Sequence, residues 1–243
     1  MTVPFTIDPV EVRVNGRWPL LMPPHRAERP EWHTPPYWEG RRLTAMRDEL
    51  ERYDRPVVWD IGAEEGDMPA LYATWGAGVV LVEPNPKVWP CIRYHWTVNQ
   101  LDPPLGCYVG MVGSAPNERA AHGEWMIWPD CAQGDMNPAH GFHHLREHAE
   151  VDPVTTLDVM LASFPAPDVI TVDIEGGEGL MLQGARTMLE DVRPVWFLSV
   201  HSFELRELYG HNPSEHVHEV MEAHGYTGEF VEDRHEAHWV YRP

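Results

Sequence analysis

Three side chains near the ends of two apolar runs carry the most chemistry in this sequence. Asp173 and Glu175 close the run Val169 to Val172, and His201 closes the run Pro194 to Val200. If both runs are strands of one parallel sheet, the three groups converge on the same rim. An imidazole titrates close to neutrality, so His201 is the natural general base for removing a proton from a substrate hydroxyl. Asp173 could hold that imidazole in the accepting tautomer. Alternatively, Asp173, Glu175 and His201 form a metal set, whose oxygen ligands favour Mg2+ or Mn2+. The competing reading of His201 is a structural histidine at a strand end.

A second group lies upstream, in Asp60-Ile-Gly62-Ala63-Glu64-Glu65-Gly66-Asp67 and in Glu83. A glycine turn after a strand lets the backbone come close to a ligand and adopt positive φ. A carboxylate ending the next strand can accept both hydroxyls of a ribose, and the distance from Gly62 to Glu83 is near the spacing nucleotide-binding folds use. The pattern G-x-G-x-x-G is absent, and Glu64, Glu65 and Asp67 stand where a pyrophosphate would be repelled. An acidic loop suits a cationic or zwitterionic ligand better.

Positioning these groups requires an α/β domain with a doubly wound, mostly parallel sheet. Residues 57–61 and 79–83 read as its first two strands, with Leu71, Tyr72 and Trp75 at helical spacing between them. A helix through Val88, Ile92 and Trp96 follows, ending near Asn99. Residues 106–112 then read as a third strand closing at Gly113-Ser114. Val169 to Val172 is a near-continuous apolar run, as a strand covered on both faces should be. Residues 194–200 form the fifth strand. A helix over 213–225 and strands at 226–231 and 237–241 complete the sheet, with an antiparallel edge.

Two segments stand outside this pattern. Residues 1–53 form an N-terminal arm and helix, leaving 54–243 as the main domain. The first forty residues, dense in proline and tryptophan, cannot be one long helix and should wrap the core. His25 and His33 within them read as exposed loop residues. From Trp38 to Tyr53 a helix presents Leu43, Met46 and Leu50 on one face, with arginines and glutamates elsewhere. Residues 114–155 form an irregular insertion between strands three and four, read as a substrate-covering element. It holds a strand-like run at 124–128 and the cluster His140, His143, His144 and His148. His144 and His148 have zinc-ligand spacing, against the alternative of a solvated histidine-rich loop.

At this point the motifs, in order, resemble those of the FkbM family of S-adenosylmethionine-dependent methyltransferases. They are the D-x-G-A-x-x-G-D loop (Asp60 to Asp67), E-P-N-P (Glu83 to Pro86), Asn99, T-L-D (Thr156 to Asp158), D-x-E-G-x-E (Asp173 to Glu178) and Gly184-Ala185. The resemblance covers about residues 55 to 200. It implies a Rossmann-like class I methyltransferase fold, S-adenosylmethionine as cofactor, and O-methylation of a sugar, glycan or secondary metabolite. It assigns donor binding to Asp60, Gly62, Ala63, Gly66, Asp67, Glu83, Pro84, Asn85, Met111, Val112 and Asp173. Catalysis would fall to His201, Asp173 and Glu175. Glu64 stands where many members carry Asn, and Ser199 where an acidic residue often precedes the His.

Composition narrows the partners. A formal charge of −20 argues against nucleic acid, whose phosphates need a basic face. Cys91, Cys107 and Cys131 have neither even number nor metal spacing, which fits a reducing compartment. No apolar run approaches membrane-spanning length, and no signal-peptide core opens the chain, so a cytoplasmic protein with no membrane partner is expected. Two other classes remain open on the same scaffold: a nicotinamide-dependent oxidoreductase and a noncatalytic binding protein.

Overall fold

The computed structural model describes residues 7–118, 128–134, 136, 153–201, 213–233 and 236–243. The histidines at 140, 143, 144 and 148 and the run 124–127 lie outside the described residues.

The chain opens with a hairpin of β1 (Val10–Val14) and β2 (Trp18–Met22), which sequence reading missed. Its turn holds Asn15 and Gly16, both with positive φ, as the twist of a tight hairpin demands. Alternation buries Val12, Val14, Leu20 and Met22 on one face. After α1 (Pro24–Ala27) comes α2 (Gly40–Leu50), which buries Leu43, Met46 and Leu50 as expected.

β3 (Val57–Ile61), α3 (Asp67–Thr74), β4 (Gly78–Val82), α4 (Trp89–Val98) and β5 (Gly106–Tyr108) then run in βαβαβ order. The anticipated third strand does not continue to residue 112. Instead β6 (Met111–Val112) pairs in parallel with β7 (Val154–Thr155) in a separate two-stranded sheet. The break falls at Gly110, where an added Cβ would lie 2.7 Å from the Tyr108 ring and 2.8 Å from the Pro153 carbonyl oxygen. With no side chain there, the strand can leave β4, and the Met111 amide donates to Pro153 instead (2.8 Å).

The second half comprises α5 (Leu157–Leu161), β8 (Val169–Val172), α6 (Glu178–Gln183), a π-helical turn (Met188–Val192), β9 (Val195–Val200), α7 (Pro213–Ala223), β10 (Thr227–Asp233) and β11 (Ala237–Arg242). The main sheet has the order β10-β11-β9-β8-β3-β4-β5. Its strands are parallel from β5 to β9, while β11 runs antiparallel to β9 and β10 antiparallel to β11. The fold is thus the doubly wound class the strand pattern predicts. The winding direction reverses between β3 and β8, and open α/β sheets bind ligands beside the carboxyl ends of such a pair.

Each strand sends alternate residues to opposite faces, and helices cover both. Val58, Val79 and Leu81 join α2, α3, α4 and the arm in one core. Trp59, Ile61, Val80 and Val82 join α5, α6 and α7 in the other. Val12, Val14, Leu20, Met22, Ala27 and Trp32 belong to the first core, so the arm is a structural wrap. Asn99 fastens it: its side-chain amide accepts from the Leu21 N–H and donates to the Leu21 carbonyl, both at 2.8 Å. No helix among the described residues is long and apolar enough to cross a membrane.

Candidate active site

The carboxyl ends of β3, β4, β8 and β9 open on a cavity of about 350 Å3. Asp60, Gly62, Ala63, Asp67, Glu83, Pro84, Asn85, Met111, Val112, Asp173, Glu175 and His201 all line it. Every residue singled out for donor binding or catalysis is therefore brought to one space, except Gly66.

The two glycines of the loop serve packing. Gly62 has φ +93°, and an added Cβ would lie 1.9 Å from the Asp173 carbonyl oxygen. Its N–H and that of Ala63 both donate to the Val82 carbonyl, at 2.9 and 3.0 Å. Gly62 is thus the point where the ends of β3, β4 and β8 close on one another. Gly66, with φ +89°, sits against α4, where a Cβ would come within 2.9 Å of the Ile92 Cα. It shapes the entry to α3 and does not face the cavity.

Glu83 is buried and held rigidly. Its Oε2 accepts from the Glu64 N–H (3.0 Å) and its Oε1 from the Asn85 N–H (2.7 Å). These two bonds fix the orientation of the carboxylate at the cavity wall. Asp60 is also buried, and burial pushes its carboxyl up to about 8. Arg42 opposes that rise, whereas Asp173, Asp67 and Glu83 add to it. A cation entering this cavity would favour the ionised form of Asp60.

The acidic loop has a different partner from the one its sequence suggests. Arg26 of the arm, 2 % exposed, places its Nε 2.9 Å from Asp67 Oδ2 and 3.0 Å from Glu65 Oε2. Its Nη2 also pairs with Asp67 and lies 3.3 Å from Glu64 Oε2. Burial alone would lower the Arg26 pKa, but Asp67, Glu64 and Glu65 hold it above its ordinary value. The loop's negative charge is answered within the chain, so it is no argument for a cationic ligand. Arginines on α2 were expected away from the core, yet Arg42 is 4 % exposed and bonds Glu39 and Thr171. His25, expected to be exposed, is half-buried with its Nε2 3.2 Å from Glu65 Oε2.

At the ends of β8 and β9, His201 is surrounded by carboxylates. Its Nδ1 lies 3.0 Å from Glu178 Oε1, and its Nε2 lies 3.5 Å from Asp173, 3.7 Å from Glu175 and 3.9 Å from Glu236. Positive φ at Glu175 and Gly176 turns the chain sharply between β8 and α6, and the Gly176 N–H donates to Glu178 Oε1 (3.2 Å). Burial would lower the His201 pKa. The hydrogen bond and charge of Glu178, with Asp173 and Glu175, raise it instead to about 10. At neutral pH the imidazole is therefore protonated by its own surroundings, and it is not the free base its ordinary pKa suggests. Asp173, although about a third open to the cavity, is pushed up to about 7. Desolvation is the largest cause; His201 and Arg42 oppose it, while Glu236 and Glu39 reinforce it.

The same arrangement fits a divalent cation. Ligand atoms of Asp173, Glu175 and His201 all lie within 4.8 Å of one another. Glu178 behind His201 is the carboxylate partner that a metal-binding imidazole usually has on its second nitrogen. Glu178 appears in the D-x-E-G-x-E motif, whereas Glu236 carried no sequence signal.

Other motif residues serve the framework. Asp158 accepts from the Thr187 and Met188 N–H groups at 3.0 and 3.1 Å, and the Thr156 hydroxyl caps α5 through the Val159 N–H (3.2 Å). Asn85 accepts from the Lys87 N–H (3.0 Å), closing the turn after Glu83.

Comparison with known proteins agrees with this architecture. Residues 60–227 match the model of the methyltransferase FkbM domain. Among solved structures, a methyltransferase FkbM from Methylobacillus flagellatus is 16 % identical with a TM-score of 0.50; the alignment covers 77 % of this chain, which spans 44 % of that protein's length. A precorrin-6y C5,15-methyltransferase from Geobacter metallireducens is 13 % identical, with a TM-score of 0.44 over 82 % of this chain and 84 % of that one. A 16S rRNA N2 G1207 methyltransferase from T. thermophilus, in complex with AdoMet and guanosine, is 14 % identical, with a TM-score of 0.47 over 100 % of this chain and 52 % of that one. At TM-scores under 0.5 the latter two add nothing to the fold assignment. No curated protein matches the chain.

Proposed function

Because the chain belongs to the FkbM family of S-adenosylmethionine-dependent methyltransferases, we propose that it methylates a hydroxyl oxygen of a sugar, glycan or secondary metabolite. The observation that carries this reading is His201 ringed by Asp173, Glu175, Glu178 and Glu236 in the cavity that Glu83 also lines. Such a cluster is suited to activating a hydroxyl, a poor nucleophile that must lose a proton as it attacks. The family assignment displaces the nicotinamide-dependent and noncatalytic alternatives.

On this reading Glu83 accepts from the ribose hydroxyls of the donor, and Met111 and Val112 pack against its adenine. Asp60 faces the cationic groups of the donor, which would draw its raised pKa back down. Arg42 lines the same cavity, and its buried Nε has no partner among the described residues. That orphaned donor fits the carboxylate of a methionine moiety.

A sulfonium donor is intrinsically reactive, so alignment of the acceptor oxygen and removal of its proton fall to the protein. Asp173, Glu175 and His201 would hold Mg2+ or Mn2+, which supplies Lewis acidity that lowers the pKa of a hydroxyl. Glu178 keeps its hold on Nδ1 and leaves Nε2 turned toward Asp173 and Glu175. With the donor bound, the acceptor oxygen would take the methyl group as the carbon–sulfur electrons return to sulfur, and the hydroxyl proton would pass to the Asp173 carboxylate at the same rim. The formal charge of −20 supports a small-molecule or glycan acceptor over a nucleic acid.

The test combines binding and product analysis. Calorimetry should detect S-adenosylhomocysteine, and labelled methyl groups should appear on oxygen when hydroxylated sugars and metabolites are supplied. Methyl transfer to nitrogen or carbon of those compounds would contradict the proposal.

A further inference from the structure

His25, Glu65 and Cys91 meet where α1 of the arm, the loop after β3 and α4 come together. Each offers one ligand atom, and the three atoms all lie within 4.8 Å of one another. They come from three separate segments, so no sequence spacing announces them. His25 Nε2 stands 3.2 Å from Glu65 Oε2. That is close to the ligand–ligand edge of a tetrahedral ion whose nitrogen and oxygen ligands sit about 2.0–2.2 Å away. Cys91 is a free thiol, 3 % exposed. The Glu65 side chain is equally enclosed, whereas that of His25 is 30 % exposed, so the group is reached from solvent past the imidazole. None of the three lines the donor cavity or belongs to the Asp173 group.

The surroundings suit a divalent ion. Arg26 lies 3.0 Å from Glu65 Oε2, but it also pairs with Asp67 and Glu64, and Arg29 lies 3.9 Å from Glu64. Three carboxylates therefore face two guanidiniums, and the Cys91 thiolate adds a second negative charge when its proton leaves. Carboxylates that bind metals are themselves commonly hydrogen-bonded, and Arg26 is the donor here. Burial pushes the Cys91 thiol up, so an entering ion displaces its proton. A further observation comes from His95, one turn along α4. Its Nδ1 lies 3.9 Å from Cys91 Sγ and 3.1 Å from the Cys91 carbonyl oxygen. With Nδ1 donating to that carbonyl, the lone pair is on Nε2, which is fully buried and has no hydrogen-bond partner among the described residues. The ring beside the thiol thus carries a basic nitrogen that the folded chain leaves unused.

We infer that His25, Glu65 and Cys91 bind a thiolate-seeking divalent cation of zinc type, which staples the arm to the donor loop and to α4. A thiolate with an imidazole selects such an ion over Mg2+ or Mn2+, whereas the oxygen-rich group at Asp173 has the opposite preference. The ion also bears on donor binding, because Glu65 adjoins Glu64, whose N–H holds the Glu83 carboxylate. The inference is independent of which atom the enzyme methylates.

The probe is Co2+, because a bound thiolate gives it a charge-transfer band in the near ultraviolet that oxygen and nitrogen ligands do not. The full chain, stripped with a chelator and titrated with Co2+, should develop that band, and Zn2+ should bleach it. Asp173→Asn should leave the band intact, which separates this group from the one at the ends of β8 and β9. Cys91→Ser should remove it. His25→Ala, at a partly exposed position, should weaken Co2+ binding at least tenfold with an unchanged circular dichroism spectrum, and it decides the matter if Cys91→Ser fails to fold. Zn2+ should raise the melting temperature of the wild type and leave that of His25→Ala unmoved. A wild type without the thiolate band would overturn the inference. So would a band that survives Cys91→Ser, or one that forms in His25→Ala with wild-type affinity.

Discussion

Glu178 Oε1 lies 3.0 Å from Nδ1 of His201, and the same oxygen accepts from the Gly176 N–H. This relationship fixes which nitrogen of His201 faces the cavity, and it joins the turn after β8 to the end of β9. Glu178→Gln should keep the shape but remove the charge that holds the imidazole. We expect turnover to fall by roughly tenfold to a hundredfold, in the range typical for partners behind metal-ligating histidines. S-adenosylhomocysteine affinity should be unchanged, and calorimetry beside a turnover assay separates the two effects.

The raised His201 pKa has a consequence for stability. In the unfolded chain the imidazole titrates near 6.5 and in the folded chain near 10. Between those values the folded protein binds the extra proton, so stability falls as pH rises. The contribution is fully present below pH 6.5 and gone above about pH 10. Melting temperatures of wild type and His201→Gln, measured in EDTA, should differ most at low pH and converge toward pH 10. A gap that widens with rising pH would contradict the assignment.

Gly62→Ala should be severe. The new methyl group would meet the Asp173 carbonyl at 1.9 Å, at a backbone φ of +93° that alanine rarely adopts. Overpacking of this kind typically costs about 1–3 kcal/mol before the backbone strain is added. Thermal unfolding should show the loss, and donor affinity should fall with it because the ends of β3 and β8 must separate.

Arg26→Met would leave Asp67, Glu64 and Glu65 facing one another without their common partner. Removing one side of a buried ion pair costs about 3–5 kcal/mol. Urea unfolding should show a loss of that order. An unchanged midpoint would show that the arm is held by its apolar contacts alone.

Glu83→Ala removes a buried carboxylate that two backbone N–H groups hold in place. A charge-assisted hydrogen bond contributes roughly 1.5–3 kcal/mol, so S-adenosylhomocysteine should bind about ten- to a hundredfold more weakly. Retained affinity would remove Glu83 from the donor site.

Much of this architecture is legible in the sequence for a physical reason. Strands such as Val57–Ile61 and Val169–Val172 are covered on both faces, so most of their residues are apolar, and polar residues at or just past their ends mark where they close. That is why Asp60, Glu83, Asp173 and His201 could be placed on one rim. The hairpin at Val10–Met22 was also legible, since Asn15-Gly16 between alternating apolar residues is a strong turn signal. The burial of Arg26 and Arg42 was not legible: Arg26 depends on Asp67, 41 residues away, and Arg42, although Glu39 is its near neighbour, is drawn inward to Thr171, 129 residues away. Glu236 reaches the site through the antiparallel pairing of β11 with β9, which no local pattern announces. The early break of the third strand depends on the close approach of Pro153 to Gly110, a tertiary contact from across the insertion.

The most direct test of the account is whether Asp173, Glu175 and His201 hold a cation that methyl transfer requires. Mn2+ titrated into the purified protein, followed by electron paramagnetic resonance, should show one bound ion. Its affinity should rise from pH 6 toward pH 10 as the competing proton leaves His201. Asp173→Asn should abolish the bound signal. EDTA should stop methyl transfer, and Mn2+ or Mg2+ should restore it. Full turnover in EDTA, with no Mn2+ bound by the wild-type protein at any pH in that range, would contradict the account.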